Sequence, residues 1–328
     1  MSNTKTIFSG IQPTGQLHLG NYLGAIQNWV KLQDQYNCIY SIVDYHAITI
    51  DQDPKQMQAK ILEIASLLLA CGIDPKKSIL FIQSHIPEHT ELAWIFNTLT
   101  PIAELERMTQ FKDKADRNKQ NINAGLFTYP VLQAADILIY KADAVPVGED
   151  QLQHVELTRK IVRKFNNKYG EYFTEPEAIA SSAKRVMSLT EPESKMSKSH
   201  GEKSYIALTD SAEVIRQKIS KAVTDSSPDG TMSAGVANLF NLLKYIETDK
   251  AILKDLEAQY KSGTLKYSEL KNVLAEQIIK MLEPIQTRYQ AYISDPQKVW
   301  AILADGQKRA ETIAKQNMAE IKKLVGLL

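Results

Sequence analysis

The first half of the chain alternates short apolar runs of β-branched and aromatic residues with stretches of helical period. Thr6-Ile7-Phe8, Cys38 to Val43, Ile79 to Ile82 and Ala144 to Val147 are strand candidates whose composition suits strands covered on both faces. Between them, Tyr22, Leu23, Ile26, Trp29 and Val30 fall on one helix face. Met57 through Ala70 repeats that pattern, with Pro54 suited to the first turn and Gly72 beyond the end. Strand–helix alternation predicts an α/β fold, a doubly wound parallel sheet of Rossmann-like type whose ligands sit at the carboxyl ends of the strands. From about Ser211 to Leu328 the pattern changes to helix almost throughout. Leu239, Leu242, Leu243 and Ile246 form one apolar stripe, and Ile278, Ile279, Met281, Leu282, Ile285 and Tyr289 form another. The turn-rich segment Thr224 to Gly230 separates two of these helices. The pattern therefore divides the chain into an α/β domain over residues 1–200 and an α-helical domain over 201–328, with a final helix able to fold back onto the first domain.

Composition agrees with this division and narrows the chemistry. A chain of 328 residues holds about two domains at ~150 residues each. With 44% hydrophobic and 23% charged residues it is ordinary globular material. The net charge of +1 excludes a partner held by a wholly basic surface, but not a nucleic acid as such. Cys38 and Cys71 make neither a CxxC pair nor a zinc-ligand spacing, which argues against a disulfide scaffold and a structural metal site. Both read as small core residues in a reducing compartment. The segment Met1 to Lys5 has no apolar signal-peptide core. The longest apolar stretch, Ile64 to Ile73, is about half the length that spans a bilayer. A soluble cytoplasmic protein with no membrane partner is expected.

Two constellations carry chemistry. The first runs from Phe8 to Asn21, out of a strand, through the Gly/Pro-rich turn Gln12-Pro13-Thr14-Gly15, and into a helix opening near Gly20-Asn21. Glycines admit close backbone approach, and a helix N-terminus offers N–H groups and positive dipole to a phosphate. His18 and Asn21 add side-chain hydrogen-bonding groups. The same residues would also serve as a tight strand–helix connection with a polar cap. Neither GxGxxG nor the Walker GxxxxGK[ST] occurs, so the common dinucleotide and P-loop readings lack support. The second constellation is Lys195-Met196-Ser197-Lys198-Ser199. Two lysines three apart on a Ser-rich loop can neutralise negative charge that develops during phosphoryl or nucleotidyl transfer, although such a segment alone also reads as a solvated basic linker.

Together the two resemble the signature of the class I aminoacyl-tRNA synthetases. His18-Leu19-Gly20-Asn21 is similar to their HIGH motif, and Lys195 to Ser199 is identical to their KMSKS motif. Longer segments narrow the resemblance to the bacterial-type tryptophanyl-tRNA synthetases: Ile11 to Gly15, Glu104 to Lys112, Tyr129 to Leu138, Val145 to Gln151 with Gln153-His154, and Arg185 to Leu189. The likeness is strongest over residues 4–225 and weaker in the helical tail.

This resemblance implies an enzyme that activates L-tryptophan with ATP and Mg²⁺ and transfers it to the 3′-terminal adenosine of tRNA(Trp). It implies an ATP site from Gln12, Pro13, Thr14, Gly20, Asn21, Gly148, Glu149, Asp150 and Val186, with Lys195, Met196, Ser197, Lys198 and Ser199 as a phosphate loop. His18, Asn21, Lys195 and Lys198 would act on the reacting phosphates. Lys114 stands where the family has a further phosphate contact, but reads better as a surface lysine. Asp136 would accept a hydrogen bond from the indole N–H, a donor-only group that requires an acceptor. Phe8, Gln12, His46, Tyr129, Val145, Val147 and Gln151 would be its neighbours, and the role of Gln133 is open. The resemblance further implies a homodimer. An insertion at about 85–130 would supply the interface through Leu92, Trp94, Ile95, Phe96 and Leu99, a run that could equally be intramolecular core. The helical domain would read the tRNA anticodon; DNA is not an implied partner. Three alternatives stay open at this stage: a tyrosyl-tRNA synthetase, a small-molecule nucleotidyltransferase with a HIGH-like turn, and a non-catalytic tRNA-binding paralogue.

Overall fold

All five strands run parallel, in the order β3-β2-β1-β4-β5. In this computed structural model, which describes residues 4–111, 122–148, 151–180, 185–224, 231–246 and 248–328, they are β1 (Thr6–Ile11), β2 (Asn37–Ile42), β3 (Ser78–Ile82), β4 (Ala144–Val147) and β5 (Glu177–Ala180). Four coincide with the sequence expectation. The fifth, Glu-Ala-Ile-Ala, is too short and too polar at its start to stand out in the pattern, and forms because its backbone pairs with β4 from Ala144↔Glu177 to Val147↔Ala180. Strand order reverses direction between β1 and β4. Ligands of open parallel sheets sit at the carboxyl ends of the strands flanking such a reversal, and here Gln12 and Gly148 follow those ends. Among the described residues no helix is long and apolar enough to cross a membrane. Cys38 and Cys71 are both buried free thiols.

The chain divides into two compact units whose bounds differ from a single cut near residue 200. The first comprises Met1–Gly15, Trp29–Ser181 and Tyr292–Leu328, and holds the sheet. Its core joins Phe8, Ile39 and Phe81 from the strands to Val131 and Ala135 of the Ala124–Leu138 helix and to Phe96 and Phe165. The Pro54–Cys71 helix is built as its sequence suggests. Asp53 caps it by accepting from the Lys55 N–H at 3.0 Å, Pro54 sits in the first turn, and Gly72 ends it at a positive φ of 112°.

The final helix, Pro296–Val325, belongs to this same unit and packs on β3, an edge strand. Its buried stripe places the small residues Gly306, Ala310 and Ala314 in succession. Arg309 donates to the carbonyls of Pro75 (2.9 Å) and Ser78 (3.1 Å), and Asn317 to that of Ile139 (2.7 Å). A Cβ on Gly306 would lie 1.9 Å from the Leu80 carbonyl oxygen, so helix and strand meet at backbone distance. Gly306→Ala is therefore expected to lower unfolding stability by about 3 kcal/mol, the upper range for overpacking, because a backbone atom cannot rotate away. An unchanged denaturant midpoint would contradict a backbone-distance contact between helix and strand.

The second unit comprises Gln16–Asn28 and Ser182–Ala291. Its helices include Ala212–Ser220, Ala234–Tyr245 and Lys250–Ser262. The expected stripes bury in part: Leu239, Leu242 and Leu243 in one helix and Ile278, Leu282 and Ile285 in another are buried, while Ile246, Ile279, Met281 and Tyr289 are half-buried. Of the expected turn Thr224–Gly230, only Thr224 lies within the described residues. Ser211 and Ser233 cap two of these helices, each accepting a backbone N–H at 3.3 Å.

Candidate active site

Two clusters of functional side chains are built, one in each unit. In the second unit the chain around His18 is held by backbone pairing to a segment nearly two hundred residues away. Leu19 N–H donates to Ile206 at 2.8 Å and Leu208 N–H to Leu17 at 2.9 Å, with His18 opposite Ala207 in an antiparallel bridge. Helix begins at Leu19 and passes into a π-helical turn at Tyr22–Ile26. Asn21 turns back to accept the His18 N–H at 3.0 Å, so its side chain caps this helix as well as standing in the candidate site.

The KMSKS segment leaves a small hairpin. Met196 N–H donates to Val186 at 2.9 Å and Ser188 N–H to Ser194 at 2.8 Å, and Met187 bridges Lys195. Asn238 holds the first arm through the carbonyls of Met187 (3.3 Å) and Ser188 (3.0 Å). The Ser204 hydroxyl, 2.8 Å from the Ser197 carbonyl, fixes the far side, and His200 Nδ1 meets Glu191 at 2.7 Å.

Within this unit the two motifs meet. A Cβ on Gly20 would stand 3.0 Å from His18 Nδ1, crowding the imidazole, and 3.5 Å from Met196 Cβ, an ordinary contact distance, so Gly20 lies between the two motifs. Met196 is buried and Lys195 exposed. His18 is buried, and its Nδ1 has no hydrogen-bond partner among the described residues. Burial, reinforced by the positive charges of Lys198 and Lys195, lowers its pKa to about 4. At neutral pH His18 is thus an uncharged imidazole beside two cations, suited to hydrogen-bond an anionic ligand while the lysines supply charge.

The first unit holds the other cluster. Asp136, 1% exposed, receives three hydrogen bonds. Gln83 Nε2 (2.7 Å) and His89 Nδ1 (2.6 Å) reach Oδ1, and His46 Nε2 (2.7 Å) reaches Oδ2. Burial would raise the Asp136 pKa, but His46 and His89 outweigh it and hold the carboxyl well below the usual range, so it is ionised. An ionised carboxylate has about four acceptor positions. The three bonds leave one, on Oδ2. Tyr129, whose hydroxyl is 2.9 Å from His154 Nε2, sets its ring edge-on to His46 with centroids 6.2 Å apart. Phe8 stacks on Tyr140 at 5.8 Å. Val145 and Val147 are buried in β4, and Gln151, its N–H on the Gly148 carbonyl at 3.0 Å, heads the Leu152–Tyr169 helix. Gln12 and Thr14 are half-buried, Pro13 is buried, and Gln133 is half-buried beside the cluster's helix residues. Glu149, Asp150, Lys112, Lys114 and the Ser199 side chain lie outside the described residues.

Gln83, His89 and Tyr140 were not singled out by the sequence pattern. Gln83 carried one usable signal, since it directly follows a β-strand at the carboxyl edge of the sheet. His89 had none, because it lies in the run read as an interface insertion. That run is mainly core: Leu92, Ile95 and Phe96 are buried and Leu99 packs against them, so of its five apolar residues only Trp94, 73% exposed, faces out.

Each unit thus carries its own chemistry: a neutral histidine beside a two-lysine hairpin in one, and a buried carboxylate acceptor beside the parallel sheet in the other. Comparison with known proteins specifies the class. Residues 2–283 match the family model described as tRNA synthetases class I (W and Y). The chain is 47% identical over 331 residues to the tryptophan–tRNA ligase of Clostridium tetani, covering 99% of this chain and 97% of that protein. It is equally similar to the Helicobacter pylori tryptophan–tRNA ligase, 47% over 327 residues and 99% of both. Its fold matches the crystal structure of Campylobacter jejuni tryptophanyl-tRNA synthetase complexed with ADP and tryptophan, with TM-score 0.87, 35% identity, and coverage of 98% of this chain and 100% of that one. The chain belongs to the class I tRNA synthetases of the tryptophan and tyrosine family.

Proposed function

We propose that this chain is a tryptophan–tRNA ligase. The observation that carries the choice of tryptophan is identity of 47% over 99% of the chain with enzymes of that activity. Asp136 supports it chemically, as a buried ionised acceptor suited to a ring N–H. In the first step the tryptophan carboxylate attacks the α-phosphate of ATP. A P–O bond forms, the bond to the β-phosphate breaks, and pyrophosphate leaves with tryptophanyl-adenylate remaining. The nucleophile is already ionised at neutral pH, so no general base is required. In the second step a ribose hydroxyl of the tRNA's terminal adenosine attacks the tryptophan carbonyl and AMP leaves.

The protein's contribution is orientation and charge. Lys195 and Lys198 neutralise the charge growing on the departing pyrophosphate, with Ser197 and Ser199 shaping the loop. Neutral His18 hydrogen-bonds the phosphates, Gly20 and Asn21 form the turn beneath them, and Val186 meets the adenine. Gln12, Pro13 and Thr14, with Gly148, Glu149 and Asp150, complete the ATP site. Mg²⁺ enters with the ATP phosphates as part of the substrate. Phe8, His46, Tyr129, Val145, Val147 and Gln151 surround the amino acid. The helical residues of 201–328 read the tRNA anticodon, and the enzyme works in the cytoplasm. Charging of tRNA(Trp), but not tRNA(Tyr), with tryptophan in the presence of MgATP tests the whole reading. Charging of tRNA(Tyr) with tyrosine would replace it with the sister activity.

The enzyme acts as a homodimer in this reading. Trp94, with Ile102 at 66% and Ile122 at 53% exposure, offers large apolar side chains to a second copy. Trp94→Glu is expected to shift sedimentation from dimer to monomer at micromolar concentration. Monomeric parent protein would remove the dimer from the account.

A further inference from the structure

His89 is wholly buried, and both ring nitrogens are engaged. Nδ1 lies 2.6 Å from Asp136 Oδ1, and Nε2 lies 2.8 Å from the Tyr140 hydroxyl. A histidine buried merely as packing needs one partner. Here the ring is clamped at both ends and cannot turn without losing two bonds. The proton assignment follows from chemistry: the ionised carboxylate has no hydrogen to give, so Nδ1 must donate. In the neutral ring Nε2 then accepts from the Tyr140 hydroxyl. Tyr140 is itself held between rings, stacked on Phe8 and edge-on to Phe81 at 5.8 Å each.

The consequence falls on Asp136. With Gln83 and His89 both on Oδ1, that oxygen is saturated and the carboxylate cannot rotate. The remaining acceptor position stays on Oδ2, beside the His46 bond. We propose that His89, braced by Tyr140, is a positioning residue that fixes the Asp136 carboxylate with one acceptor lobe open and thereby sets the preference for a ring carrying an N–H donor. This rests on the reading of Asp136 as the indole acceptor. The titratable groups around the carboxylate are His46 on the Asp44–Ala47 turn, His89 and Glu88 on the Glu88–Asn97 helix, and Tyr140. Gln83 is the uncharged donor. Glu88 is buried, with Oε2 lacking a hydrogen-bond partner among the described residues, and its charge acts on Tyr140. Loss of the His89 donor removes a stabilising bond to the anion while its burial stays, so Asp136 becomes easier to protonate.

The test is pyrophosphate exchange with His89→Leu, His89→Asn and Tyr140→Phe, measured from pH 5 to 9. The substrates are tryptophan and the analogue in which sulfur replaces the indole N–H. His89→Leu is expected to raise the KM for tryptophan about 10- to 100-fold, the range for losing a hydrogen bond to a charged group, while the KM for ATP changes less than about twofold. Its acidic limb in kcat/KM for tryptophan moves to higher pH, and its preference for tryptophan over the sulfur analogue shrinks. His89→Asn, which can still donate to Asp136, recovers most of the limb and the preference. Tyr140→Phe moves both in the same direction by a smaller amount, and carries the test if His89→Leu fails to fold. Folded His89→Leu or Tyr140→Phe with unchanged limb and unchanged preference would overturn the proposal. Asp136→Asn separates the two ideas. If it keeps the preference for tryptophan, the reading of Asp136 falls and this proposal with it; if it loses the preference while the His89 and Tyr140 variants do not, only this proposal falls.

Discussion

Lys195→Ala is expected to lower tryptophan-dependent ATP–pyrophosphate exchange by about 100- to 1000-fold in kcat, the cost of removing one charge-stabilising group from a transition state. Tryptophan affinity should change by less than about threefold, because the contact strengthens only as charge moves onto the leaving pyrophosphate. Exposed Lys195 bridges Met187 through the backbone, so truncating its side chain leaves the hairpin's hydrogen bonds intact. Equilibrium binding of tryptophan alongside exchange kinetics checks the split. Equal losses in affinity and kcat would make Lys195 a general support of the fold or of substrate binding, and not a charge stabiliser.

The second large effect lies in the other unit. Asp136→Ala removes the acceptor of Gln83, His46 and His89 together, leaving three buried donors facing a void. Sites built to hydrogen-bond a substrate group discriminate by about 10⁴-fold or more against an analogue lacking it. The variant should therefore lose on the order of 10³-fold or more in kcat/KM for tryptophan. It should also lose its preference for tryptophan over the sulfur analogue and over tyrosine. Stability is expected to fall as well, by about 1–3 kcal/mol for each buried donor left unpaired, so exchange is measured at a temperature where denaturation shows the variant folded. Retained selectivity in a folded variant would place the indole acceptor elsewhere.

How far the sequence foretold this structure depends on whether each feature is local. β1 to β4 and the Pro54–Cys71 helix were legible because β-branched runs, Pro54 and Gly72 all act within a few residues. β5 was not legible, because Glu177–Ala180 is a strand only by pairing with β4. Nor was the partition into units: residues 16–28 group with 182–291 through bonds such as Leu19 N–H to Ile206, which leave no mark on local composition. The same limit applies to the candidate site. His18, Lys195 and Lys198 stood out through family motifs, and the structure brings them into one electrostatic neighbourhood. Asp136 likewise stood out only through the family resemblance, since an acid on an apolar helix reads by itself as a cap or a solvated residue. The donors that hydrogen-bond it come from a turn after β2, a turn after β3 and a separate helix, and only the tertiary fold collects them. The 85–130 run left two readings open for a related reason: Leu92, Ile95 and Phe96 turn inward while Trp94 faces out, and composition alone does not say which residue of an apolar run takes which side.

The most direct test of the central claim is ATP–pyrophosphate exchange with each of the twenty amino acids, at fixed Mg²⁺ and without tRNA. Exchange with tryptophan alone is the predicted result, since it reports the activation step and its specificity together. Exchange with tyrosine in its place would keep the family and contradict the assignment of Asp136, while a folded, ATP-binding protein that exchanges with no amino acid would contradict the activity itself.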